Sequence, residues 1–159
     1  MEKKKLIAGL LEKIENDLQV LKAAAKAAYT EATHEESKPE NQYDTRALEA
    51  SYLAGAQSKR ITDTEELLVL YKHVEPKNFT EKDPISATAL VEAEFNGKRN
   101  FYFVLSKGGG ITVNFEGKKI QVITPSSPVG GAMLGLKVGD TAFIETGGQT
   151  LEYDILSIQ

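Results

Sequence analysis

The sequence predicts an α+β chain: an N-terminal antiparallel α-helical coiled-coil hairpin, then a small antiparallel β-sheet domain with one short helix. Three observations predict it. Apolar or small residues recur at Ile7, Leu11, Ile14, Leu18, Leu21, Ala25, Ala28 and Ala32, in steps alternating between four and three. That is the seam of a left-handed coiled coil. The same rhythm returns at Ala47, Ala50, Ala54, Gln57, Ile61, Thr64, Leu68 and Tyr71. Beyond Pro84 it gives way to short β-like runs with turn residues between them.

The first helix is expected from about residue 2 to residue 33, roughly 45 Å at 1.5 Å per residue. Glu12, Lys13, Asp17, Lys22 and Lys26 give it a charged outer face. It must end before Pro39, because the residue preceding a proline is pushed out of the α region. Ser37-Lys38-Pro39-Glu40 reads as a capping box for the second helix, with Asn41 to Asp44 as another possible start. Folding the chain back at Pro39/Glu40 sets Ala32 opposite Ala47, Ala25 opposite Ala54, Leu18 opposite Ile61 and Leu11 opposite Leu68. Small pairs then lie near the bend and large ones far from it. The second helix runs to about residue 73, and Gly55 within it offers close approach to its partner.

Residues 1–75 thus form the hairpin, with an acidic tip near 34–44. Residues 76–85 are a linker carrying Pro76 and Pro84, and 86–159 form the sheet domain. Strands are expected at 87–95, 101–105, 111–115, 119–123, 141–145 and 151–158. Asn96-Gly97, Glu116-Gly117 and Gly147-Gly148 mark hairpin turns. Ser127, Pro128 and Gly135 cap, open and close a short helix.

At 159 residues the chain suffices for one ordinary domain or two small ones, and 41% apolar residues can build a modest core. The absence of cysteine excludes disulfides, thiolate metal sites and a cysteine nucleophile, and suits the cytoplasm. A net charge of −4 argues against a general nucleic-acid binder. No apolar run is long enough for a signal peptide or a membrane span.

Glu31, Glu35, Glu36, Glu40 and Asp44 crowd around the single cation Lys38. Such carboxylates suit a hard cation such as Mg²⁺, which takes one or two protein carboxylates and completes its shell with water or phosphate. The plainer reading makes Glu40 a cap and the others a solvated tip. His34 and His73 lie at opposite ends of the hairpin and cannot share a metal. Gly108-Gly109-Gly110 lacks the lysine and hydroxyl of a phosphate-binding loop. No Gly-x-Ser-x-Gly elbow supports a hydrolase.

Two stretches resemble a known family. The run from Thr124 through Ser127-Pro128, Leu134-Gly135 and Val138-Gly139-Asp140, then Thr146-Gly147-Gly148 and Glu152 to Ile158, is similar to the C-terminal domain of the bacterial Gre transcript-cleavage factors. Glu40-Asn41-Gln42-Tyr43 resembles that family's Glu-Asn-x-x-Tyr signature. The order of hairpin and sheet domain matches too, so the resemblance spans the chain and implies an FKBP-like fold for residues 86–159.

The resemblance also implies a role. Gre factors dock on the rim of the RNA polymerase secondary channel, and their acidic tip helps hold a second Mg²⁺ while the polymerase cuts backtracked nascent RNA. The chain would then be no enzyme itself, would touch RNA only indirectly, and would need neither a membrane nor sequence-specific DNA. Carried over residue by residue, Glu36 and Glu40 are the acting tip carboxylates, with Asp44 a further candidate for Mg²⁺. Asn41, Tyr43, Ser126, Ser127 and Pro128 are partner contacts. In the family an acid stands three positions before the Glu of Glu-Asn; here that position is Ser37, and Glu36 is the nearest acid. This departure motivates the alternative, a secondary-channel regulator or inhibitor without cleavage activity, like the Rnk paralogues. A peptidyl-prolyl isomerase reading has little support, since pockets of that fold are aromatic-rich and this chain has no Trp.

Overall fold

The heptad seams become two long helices, α1 (Lys3–Thr33) and α2 (Arg46–Lys72), in a computed structural model that describes residues 2–33 and 46–159. The seam positions are the ones withdrawn from solvent. Ile14 and Leu18 on α1 and Leu68 and Tyr71 on α2 are buried, while Leu21, Ala25, Ala28, Gln57, Ile61 and Thr64 are half-buried. The chain divides into two compact units, Leu11–Lys72 and a second made of Met1–Leu10 with His73–Gln159.

Within the helical unit the register differs from the one expected. With Leu18 opposite Ile61, Lys22 would stand level with Gln57. Instead Lys22 Nζ lies 3.4 Å from a Glu65 carboxylate oxygen. Glu65 is eight residues further along α2, roughly 12 Å at 1.5 Å per residue. The ion pair is reached without strain when the helices slide by about one heptad. Leu18 then stands level with Leu68, Ile14 with Tyr71 and Ala25 with Ile61. Gly55 is exposed, and a Cβ added there would meet nothing within 4 Å. Among the described residues, none makes the close approach anticipated at this glycine.

The second unit is a six-stranded sheet: β1 (Leu90–Phe95), β2 (Lys98–Val104), β3 (Thr112–Phe115), β4 (Lys118–Ile123), β5 (Thr141–Thr146) and β6 (Gln149–Ile158), in the order β3-β4-β2-β1-β6-β5. The α+β class holds, with one departure from an all-antiparallel sheet. β2 and β4 run parallel, Phe101 against Ile120 and Phe103 against Val122. Asn96-Gly97 and Glu116-Gly117 take positive φ at both residues, the signature of tight two-residue hairpins. β1 begins only at Leu90. Upstream, Thr88 has a φ of 69° and Ala89 N–H donates to Ser86 O, so the chain turns before it pairs.

Side chains alternate across the sheet. One face carries Val91, Ala93, Tyr102, Val104, Ile123, Ala142, Ile144, Tyr153 and Ile155, closed over by Met133 of the short helix α3 (Pro128–Met133). Tyr153 stacks on Phe95 with ring centroids 4.5 Å apart and meets Tyr102 edge-on at 6.3 Å. The other face carries Phe103, Ile120 and Val122, all fully buried. Val113 pairs with Ile120 and so shares this face, and a Cβ at Gly9 would sit 3.7 Å from its methyl. The first turns of α1, with Leu6 and Leu10 fully buried, therefore cover the second face.

Lys3 fastens this arrangement. Its ammonium donates to the carbonyls of Lys77, Thr88 and Gln159 and stands 4.6 Å from the Phe79 ring centroid. It ties the start of α1 to the segment after α2, the turn before β1 and the end of β6. A buried cation survives only when its donors are met, and here all three are. Even so, burial lowers its pKa to about 8.

Candidate functional site

The acidic tip and the Ser-Pro turn stand very differently. Glu36, Glu40, Asn41, Tyr43 and Asp44, with Ser37 and Pro39, lie outside the described residues. What is described is the pair of helices on either side, α1 up to Thr33 and α2 from Arg46, linked by the Lys22–Glu65 bridge. The cost of placing Gln57 in that seam is visible, since its side-chain oxygen is buried with no hydrogen-bond partner among the described residues. A polar residue at a seam position disfavours competing registers.

The Ser126-Ser127-Pro128 turn is fully described. Ser127 is the N-cap of α3: its Oγ accepts from Gly130 N–H at 3.1 Å and donates to Thr124 O at 2.8 Å. Pro128 occupies the first helical position, where a missing N–H costs nothing. Gly130 is required, because a Cβ there would lie 1.9 Å from Thr124 O. So the Ser127 hydroxyl is held inside the turn. The groups facing solvent are Ser126, whose Oγ lies 3.1 Å from Thr124 Oγ1, and the exposed ring of Pro128.

The Val138-Gly139-Asp140 motif is likewise structural. Asp140 Oδ2 accepts from Lys137 N–H at 2.8 Å, and Gly139 N–H donates to Ile155 O at 2.9 Å with φ at 91°. These bonds lock the loop that feeds β5 alongside β6.

Among the described residues no group of His, Cys, Asp and Glu is placed to hold a metal ion. The groups with shifted titration serve packing: burial lowers Lys3 and raises Tyr71, and burial beside Tyr153 raises Tyr102 to about 12. Thr80 bonds hold the exposed Asp83 low. Among the described residues, no helix is long and apolar enough to cross a membrane. Sequence reasoning missed Lys3, whose three acceptors lie in distant parts of the chain. It also missed the cationic cleft that the parallel β2/β4 pair creates.

Comparison with known proteins adds to this geometry. Residues 112–159 match the family model described as transcription elongation factor, GreA/GreB, C-terminal. Over 150 residues, 93% of this chain and 91% of its relative, the sequence is 25% identical to transcription elongation factor GreA of Christiangramia forsetii. Among solved structures, the Gfh1 protein of Thermus thermophilus, a GreA factor homologue, is 20% identical, covers 94% of each chain and superposes with a TM-score of 0.38. Gfh1 of Thermus aquaticus is 22% identical over 93% of this chain and 92% of its own, at 0.40. The sequence likeness to GreA-type factors is strongest over residues 112–159, and superpositions this loose carry no argument.

Proposed function

We propose that this chain is a Gre-type factor and that it binds RNA polymerase through the enzyme's secondary channel. There it stimulates the polymerase's own cleavage of backtracked nascent RNA. One observation carries the reading: a GreA/GreB-type sheet domain shares its chain with two seam-paired helices flanking a segment of five carboxylates, 31–44. The seam narrows toward that segment, from Ile14 and Leu18 to Ala25 and Ala28, as a probe entering a confined channel requires.

In this reading the sheet domain rests on the channel rim, presenting Ser126 and Pro128 while Ser127 holds the turn in shape. Glu36 and Glu40 offer carboxylate oxygens at the reaction centre, with Asp44 as a further donor and Asn41 and Tyr43 as contacts to the partner. This donor set fits a hard, oxygen-liking cation. A shared Mg²⁺, when bound, supplies Lewis-acid stabilisation and a more acidic water. The chain's own share is to place negative oxygens and to exclude other geometries, so it is a cofactor of the polymerase rather than an enzyme. Its place of work would be the cytoplasm, with RNA touched only indirectly.

The test is a stalled, backtracked elongation complex with Mg²⁺. Added protein should shorten the RNA from its 3′ end faster than polymerase alone. Ser37, standing where the family has an acid, favours a second reading: a channel regulator that does not cleave. That protein would leave the RNA intact and compete with an active cleavage factor.

A further inference from the structure

Independently of the polymerase reading, we infer that the sheet domain carries an oligophosphate-binding cleft at the N-terminal ends of β2 and β4. The argument begins with topology. Antiparallel neighbours bring the start of one strand to the end of the other, whereas a parallel pair brings two starts together. β2 and β4 are the parallel pair, with Phe101 against Ile120. Two residues upstream of that pair stand Arg99 and Lys118, with Lys119 next along β4. Cations from separate parts of the sequence thus converge on one end of the sheet.

They line a cavity of 360 Å³ together with Asn100, Phe101 and Gln121, and no carboxylate belongs to its wall. Sites for small molecules run from about 300 to 1,000 Å³, so a nucleotide-sized anion fits. The cations are also preset. Lys118 Nζ is held 4.5 Å above the Phe101 ring centroid. Arg99 uses one nitrogen on Glu92 at 3.1 Å, and its guanidinium is otherwise exposed. Its remaining N–H donors form the planar fork that suits phosphate oxygens. Lys119 is exposed and makes no ion pair among the described residues.

The charge pattern selects the ligand class. Three cations line one half-open cleft of a chain whose net charge is −4, Arg99 and Lys118 on the sheet face of Phe103 and Lys119 on the opposite face. A nucleic-acid surface would instead show a basic stripe following a backbone. A half-open, cationic cleft with two amides suits a short chain of phosphates, either free or as the tail of a nucleotide.

The experiment is calorimetric titration of the full chain, at low salt and without Mg²⁺, with tripolyphosphate, ATP, AMP and a short single-stranded RNA. Tripolyphosphate and ATP should saturate one site, AMP should bind more weakly, and added salt should weaken both. Lys118→Gln and Lys119→Gln should each reduce affinity about tenfold, the loss of one charge-assisted contact, with an unchanged melting temperature as the folding control. Equal affinity for tripolyphosphate and ATP would assign the site to the phosphate chain alone. Tighter ATP would add a contact between nucleoside and Phe101. No saturable binding, binding that survives both substitutions, or binding of RNA alone would overturn the proposal.

Discussion

The sheet domain and the helix pair bury their side chains by different rules. In the sheet domain a residue such as Phe103 is enclosed by neighbouring strands and by the first turns of α1, leaving it fully buried. In the helix pair a seam residue such as Ile61 has one partner helix on one side and water on the other, and it stays half-buried. The difference teaches where stability sits. The sheet unit is a three-dimensional core with two faces, whereas the helices lean on a one-dimensional stripe whose side chains shrink along its length.

The largest effect should fall on the core. Phe103→Ala should cost about 4 kcal/mol, because the surrounding sheet cannot collapse into the void, and Ile61→Ala about half that. Denaturant melts of the two variants measure the contrast, and equal costs would break it. A next-largest effect tests the register. Leu18→Cys with Leu68→Cys should oxidise to a disulfide worth about 3 kcal/mol, while Leu18→Cys with Ile61→Cys should stay reduced. Efficient bridging of the second pair would restore the originally expected alignment.

Lys3→Met should cost about 2 kcal/mol by leaving three carbonyls without their donor. Its pH signature is more diagnostic. The folded Lys3 titrates at about 8 against an ordinary 10.5, so between those values the unfolded chain holds the extra proton. Stability from this group therefore rises as pH climbs from about 8 to 10.5, and Lys3→Met should abolish the rise. Tyr102 acts in the opposite sense. With its pKa at about 12 against 10.0, the folded chain keeps a proton that the unfolded one loses, and stability should fall above pH 10. The smallest effect belongs to the exposed face of α2. Gly55→Ala should stabilise by about 0.5–1 kcal/mol, since the helix gains propensity and the new methyl meets nothing.

Much of this architecture was legible because its causes are local. Seam spacing marks the buried stripe, Asn96-Gly97 and Glu116-Gly117 mark hairpins, and Ser127-Pro128 marks a helix start. The register was not legible, because a heptad pattern repeats after seven residues and so specifies the face better than the alignment. The Lys22–Glu65 bridge supplies what the spacing lacks. The parallel β2/β4 pairing had no local signal either, since the connection passes through an intervening strand. Lys3 read as part of a basic terminus, because its partners are separated from it by up to the whole chain. For the candidate site, the Ser-Pro turn was legible as a helix cap and proved to be one. The tip carboxylates lie outside the described residues.

The division of labour between the two regions is tested most directly by scoring polymerase binding and RNA cleavage side by side on backtracked complexes. Glu36→Ala with Glu40→Ala should bind as tightly as the parent chain and cut nothing. Ser126→Ala with Pro128→Ala should bind weakly and regain cleavage at high concentration. Normal cleavage by the first variant, or an equal loss of binding in both, would contradict the account.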